Sequence, residues 1–122
     1  MILLHIIYIY ISTQEILRSG KLLLGPQFIG VFPLDEIPFI QPGGFIVNSQ
    51  SANLPGEHWI AVFVSPTKIE VFDPMGFYYP QLLVSALERT NLQIYYNKIR
   101  YQHPLTTVCG HYCLIWLASK IL

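Results

Sequence analysis

Thr106-Thr107-Val108-Cys109-Gly110-His111-Tyr112-Cys113-Leu114-Ile115-Trp116-Leu117-Ala118 changes character partway along. Its first three residues are β-branched and disfavour helix, whereas from Cys109 onward the bulk recurs at Cys109, Tyr112, Cys113, Trp116 and Leu117, the spacing of one helix face. Cys109 therefore stands where a loop becomes a buried helix. A thiol there feels the positive end of the helix dipole and the unpaired first-turn N–H groups, and both favour the thiolate. That is where a cysteine nucleophile would be placed, and Gly110 keeps the backbone beside it uncluttered.

Upstream of this junction the chain reads as a strand from about Ile94 to Gln102 and, before it, an amphipathic helix over Pro80–Thr90, with Leu82, Leu83, Ala86 and Leu87 at helical spacing. Gln102, seven residues before Cys109, could donate its side-chain amide to an oxyanion together with the Cys109 N–H. Earlier still, His58-Trp59-Ile60-Ala61-Val62-Phe63-Val64 is nearly all apolar and Lys68-Ile69-Glu70-Val71-Phe72-Asp73 alternates, with Ser65-Pro66-Thr67 between them as a hairpin connection. A turn centred between Ser65 and Pro66 gives opposed residues an index total of 131, which faces Val64 with Thr67 and His58 with Asp73. Opposed Cβ atoms lie ~4.5–5.5 Å apart, close enough for an imidazole–carboxylate contact. An aspartate that orients an imidazole and stabilises imidazolium is what nucleophilic catalysis needs behind its base. Asp73-Pro74-Met75-Gly76 ends the second strand in a turn.

The first half of the chain is expected to scaffold these elements. Ser12-Thr13-Gln14-Glu15 opens a capping-box helix of about two turns that Gly20 ends. Between Gly25 and Gly44, four prolines interleaved with Phe28, Ile29, Phe32 and Phe39 predict extended, irregular, groove-lining chain. Phe45–Asn48 reads as a short strand and residues 49–57 as a polar loop. The apolar lead Met1–Ile11 lacks a basic n-region and a cleavage site and is shorter than a bilayer span, so it reads as a strand or an upstream extension. Together the elements predict an α+β protein with a central antiparallel sheet, a single domain over 1–122.

At 122 residues, 52% of them hydrophobic and 11% charged, the chain can bury a core, and disorder is excluded. Seven basic and seven acidic residues cancel, so nothing in the overall charge points to DNA or acidic lipid. Cys109 and Cys113 would close almost no loop as a disulfide, which favours reduced thiols in an intracellular compartment.

Four blocks in this order resemble a known family: Pro55-Gly56-Glu57-His58-Trp59-Ile60-Ala61-Val62; Val71-Phe72-Asp73-Pro74-Met75-Gly76; Gln102; and Thr107-Val108-Cys109-Gly110-His111-Tyr112-Cys113-Leu114. They are similar to the adenain-type cysteine proteases, which comprise the adenovirus proteases, their Maverick/Polinton relatives and, more distantly, the Ulp-type SUMO proteases. Phe28-Ile29-Gly30-Val31-Phe32-Pro33 is similar as well. The resemblance implies a papain-like, adenain-like fold with His58 as general base, Asp73 as its orienter, Gln102 as oxyanion donor and Cys109 as nucleophile. Trp59 matches the tryptophan that flanks the histidine, and Trp59 and Gly110 become candidate substrate contacts. The adenovirus enzymes carry Glu as third member, so Asp73 is nearer the Polinton and SUMO-protease pattern. This chain also stops one helix after the nucleophile.

The resemblance further implies a thiol endopeptidase with no cofactor, cutting polypeptides after small, Gly-type residues. Its implied substrates are capsid precursors of a virus or virus-like transposon, in the virion or host nucleus, with an activating peptide as a further partner. The alternatives are a protease of ubiquitin-like conjugates and a non-catalytic binding module on a decayed protease fold. Simpler readings stand beside these. Cys113 and Trp59 suit a core, His103 and His111 show no zinc-ligand spacing, Asp35, Glu36, Glu57 and Glu70 suit solvated or turn positions, and the Tyr78-Tyr79 and Tyr95-Tyr96 pairs suit packing.

Overall fold

The computed structural model describes residues 13–48, 58–74, 79–97 and 109–122, with the side chains of Thr13 and Cys109 excepted. Met1–Ile11, the Ser12 cap, the loop over 49–57, the Met75-Gly76 part of the turn, and Gln102 with the segment around it lie outside the described residues. In chain order the elements are α1 (Thr13–Leu24), β1 (Phe28–Pro33), β2 (Gly43–Asn48), β3 (Trp59–Val64), β4 (Lys68–Phe72), α2 (Gln81–Glu88), β5 (Gln93–Tyr96) and α3 (Cys109–Ile121).

The five strands form one sheet in the order β1-β2-β3-β4-β5. Its centre, β2-β3-β4, is antiparallel as expected, whereas β1 pairs with β2 and β5 with β4 in parallel. Strand alternation sends Ile46, Trp59, Ala61 and Phe72 to one face, where they pack with Ile16 of α1 and with Cys113 and Leu117 of α3. Phe45, Val47, Ile60, Val62, Ile69 and Val71 face the other way and pack with Leu83 and Leu87 of α2. Helices thus cover both faces of the sheet, an α+β arrangement, and each fully buried Leu or Ile contributes about 1.5–3 kcal/mol. No helix among the described residues is long and apolar enough to cross a membrane.

Three sequence expectations change. The first helix does not end at Gly20 but runs to Leu24, burying Ile16, Gly20 and Leu24 along one stripe. Gly20 is there because the Phe28 ring lies against it, only 2.4–2.7 Å from where a Cβ would stand. The terminating glycine is Gly25, at φ +72°, a conformation that disfavours side chains with a Cβ. The Gly25–Gly44 stretch contains a true strand, β1, which the sequence hides because its parallel partner is distant and Phe28-Ile29-Gly30-Val31-Phe32 is apolar on both faces. Beyond it, Leu34 to Ile40 does line a groove, of about 680 Å³, against Leu82, Ala86 and Arg89.

The third change is the register of the β3-β4 hairpin. Paired residues total 133, as in Val64 with Ile69 and Ala61 with Phe72, two more than the expected 131. The turn is Pro66-Thr67, closed by Ser65 N–H to the Lys68 carbonyl at 2.9 Å, while the Lys68 N–H turns to Ser65 Oγ at 3.2 Å. Proline fixes φ near −65°, which suits the first central position of a two-residue turn and moves the turn centre one residue onward.

Candidate active site

The helix α3 is laid across the sheet by three contacts that also fix its direction. Lys120 reaches Glu70 at 2.6 Å, Trp116 stacks on Phe72 with ring centroids 5.3 Å apart and planes 8° from parallel, and the Cys113 thiol donates to the Trp59 carbonyl at 3.4 Å. Moving toward its N-terminus, α3 therefore travels toward the end of the sheet where β4 stops and β3 starts. Cys109 is its first residue, one turn or ~6 Å beyond Cys113. His58 immediately precedes β3 and Asp73 immediately follows β4, so the helix N-terminus, the histidine and the aspartate converge on one end of the sheet.

His58 and Asp73 meet. Nε2 of the imidazole lies 2.8 Å from Asp73 Oδ1, with the histidine side chain 24% exposed and the aspartate fully buried. They are not directly opposed, as the expected register had them. Continuing the observed register puts Asp73 opposite Ile60, so His58 is its diagonal neighbour. Diagonal positions stand ~7–8 Å apart on the same side of the sheet, and two side chains together cover that gap. At 2.8 Å the contact is within ion-pair range and becomes one when the imidazole is protonated.

Asp73 is the one fully buried charged residue among the described residues. Burial without partners would cost several kcal/mol, and the chain meets that cost locally. Besides His58, Asn97 at the end of β5 binds the aspartate's backbone twice. Its Oδ1 accepts the Asp73 N–H at 2.8 Å and its Nδ2 donates to the Asp73 carbonyl at 2.7 Å. The Tyr79 hydroxyl sits 2.6 Å from the same Oδ1 and 2.7 Å from the Asn97 carbonyl. Burial, and then the negative charge of Asp73, push the Tyr79 hydroxyl far above its ordinary pKa, so it stays a protonated donor. Sequence reading missed Asn97 altogether and took Tyr79 for packing.

Of the remaining expectations, Trp59 takes the simpler one. Its side chain is 1% exposed within the core under α3, which gives it the core packing role that stood beside the substrate-contact reading. Cys113 is buried as expected, and Gly110 is buried in the first turn of α3. Among the described residues no group of His, Cys, Asp and Glu is arranged to hold a metal ion.

No family model matches the chain. It is 30% identical over 129 aligned positions to the protease of Porcine adenovirus A serotype 3, covering 88% of this chain and 63% of that protein. It is also 30% identical over 112 positions to the protease of Bovine adenovirus C serotype 10, covering 76% and 57%. The chain thus spans about 60% of the length of the curated relatives it matches. In fold it is similar to two crystal structures of the ASFV pS273R protease. One superposes with a TM-score of 0.61 at 18% identity over 84% of this chain and 54% of that one, the other with 0.51 at 24% over 64% and 34%. In sequence the chain is thus similar to adenovirus proteases, and in fold to the ASFV protease.

Proposed function

We propose that the chain is a cysteine endopeptidase acting on polypeptides, with Cys109 as nucleophile, His58 as general base, Asp73 as the group that orients His58, and Gln102 with the Cys109 N–H as oxyanion donors. The observation that carries this reading is the 2.8 Å His58–Asp73 pair at the sheet end toward which α3 points its N-terminus. With Nε2 turned to Asp73, Nδ1 is the nitrogen that serves the thiol. It takes the proton of Cys109, and the thiolate adds to the peptide carbonyl at the positive end of the helix dipole. The imidazolium then protonates the departing amine as the thioester forms. In the second half His58 deprotonates water, which hydrolyses the thioester and restores the thiol.

Buried Asp73 favours the imidazolium through each half. The proposal extends to cleavage after small, Gly-type residues in virion precursor proteins, in the virion or the host nucleus, with an activating peptide as partner; what supports it is similarity to two adenovirus proteases.

The test is hydrolysis of a fluorogenic peptide with Gly-Gly before the scissile bond, together with labelling by iodoacetamide at neutral pH. Cys109→Ala and His58→Ala are expected to bring hydrolysis to background, and the unchanged chain to label at Cys109 ahead of Cys113. Retained hydrolysis in Cys109→Ala refutes the assignment. Turnover of a Gly-Gly ubiquitin-like fusion but of no capsid-precursor peptide would move the substrate to ubiquitin-like conjugates.

A further inference from the structure

We propose that Asn97 and Tyr79 are positioning residues for Asp73: the Asn97 amide, held by the Tyr79 hydroxyl, closes on both backbone polar groups of Asp73 and thereby aims its carboxylate at His58. The proposal rests on the reading of His58, Asp73 and Cys109 as the catalytic group.

Asp73 sits where ordinary strand pairing stops. The β3-β4 ladder ends at Ala61 with Phe72, and the β4-β5 ladder at Val71 with Tyr96, extended by the Asn97 N–H to the Val71 carbonyl at 3.3 Å. The residue whose side chain must be aimed is therefore past the last rung on both sides. A side-chain amide takes over there, offering one acceptor and one donor in the places a neighbouring peptide group would fill. Pro74 restricts the residue before it to extended backbone. With its N–H and carbonyl both held, Asp73 keeps freedom only in its side-chain torsions.

The two backbone groups of Asp73 make the amide's orientation one-way, with Oδ1 accepting the N–H while Nδ2 faces the carbonyl. A flipped amide would set donor against donor and acceptor against acceptor. Tyr79 tethers the residue so oriented, its single hydroxyl proton shared between Oδ1 and the Asn97 carbonyl. The hydroxyl is in turn held by the tyrosine ring, whose centroid lies 4.5 Å from that of Tyr96. Among the described residues, the ionisable groups engaged with this cluster are His58, through the Asp73 carboxylate, Tyr79 itself, and Tyr96 beside it, on which the charge of Glu88 acts.

The experiment follows the rate of Cys109 alkylation by iodoacetamide against pH in the full chain, which reads the thiolate–imidazolium pair without any substrate. Loosening Asp73 weakens the imidazolium, so the thiol loses the cation that favours its ionised form and its labelling limb moves to higher pH. Tyr79→Phe, which keeps the ring, is expected to move the limb up by about one pH unit, roughly a tenfold slower rate on that limb. Asn97→Ala should move it further. In an Asp73→Asn background, Tyr79→Phe should add nothing, because its effect passes through the aspartate.

An unshifted limb in both single variants overturns the proposal, as does an equal shift with and without Asp73. A merely structural role would lower the melting temperature while leaving the limb in place, which also counts against it. If His58→Ala and Asp73→Asn leave the limb where it is, the catalytic reading itself fails, a result distinct from failure of the Asn97–Tyr79 proposal alone.

Discussion

Glu70 and Asp73 lie three residues apart along one strand and its exit, and the two regions treat a carboxylate in opposite ways. Glu70 keeps 19% of its side chain exposed, with Lys120 at 2.6 Å and Lys68 at 3.5 Å. Burial works to raise its pKa, but the Lys120 hydrogen bond and the charges of both lysines prevail and hold it below the ordinary value. Asp73 is closed off from water, its carboxylate beside an imidazole and its backbone gripped by a neutral amide. One acid faces two ammonium groups, so it serves as an anchor. The other faces an imidazole, the side chain suited to proton transfer, so its burial can act on a reaction. Position along a strand decides little here, and the partner's own chemistry decides much.

That contrast can be broken most sharply by Asp73→Asn, which keeps shape and removes charge. Hydrolysis of the Gly-Gly peptide should fall on the order of 10²–10⁴-fold, whereas Glu70→Gln should leave the rate within about twofold. Equal losses in the two variants would end the distinction. A smaller effect is expected from Trp116→Ala, which removes the stack on Phe72 that fastens α3 between the two carboxylates. The tryptophan is only partly buried, so the expected cost is about 2–3 kcal/mol in chemical denaturation.

Smallest is the Glu70 pair. A depressed folded-state pKa means its contribution is present above the unfolded value near 4.5 and is lost as pH falls through the folded one. Wild type should therefore lose up to about 1 kcal/mol relative to Glu70→Gln on acidification below that value, and less in high salt. A difference that persists unchanged at pH 3 would contradict the pairing.

The sequence was most legible where local chemistry and local structure coincide. The loop-to-helix junction at Cys109 followed from three β-branched residues giving way to helical spacing, and α3 begins there. The hairpin was legible from its apolar and alternating halves, but its register was not, since that depended on which turn position Pro66 would occupy. His58 and Asp73 still meet because a two-residue slip preserves the side of the sheet and exchanges a direct neighbour for a diagonal one. β1 escaped notice because its pairing partner lies more than ten residues away and its own residues do not alternate. Gly20 passed for a helix stop because nothing local announces the Phe28 ring lying against it. Asn97 was illegible for a related reason. A single amide replacing a rung of the ladder leaves no period, spacing or composition to read.

The parallel pairing of β4 with β5 obliges the chain to leave the sheet after Asp73, pass through α2 and return at Gln93. The Asn97 amide clasps the departure point of that excursion to its return, across 24 positions of sequence. Tyr79, at the start of that excursion, belongs to the clasp, so it is the helix after it, Gln81–Glu88, that stands outside. Residues can be exchanged, added or lost on the solvent side of α2 while the clasp keeps the carboxylate's bearing. This gives the fold a place to vary its surface without retuning its chemistry.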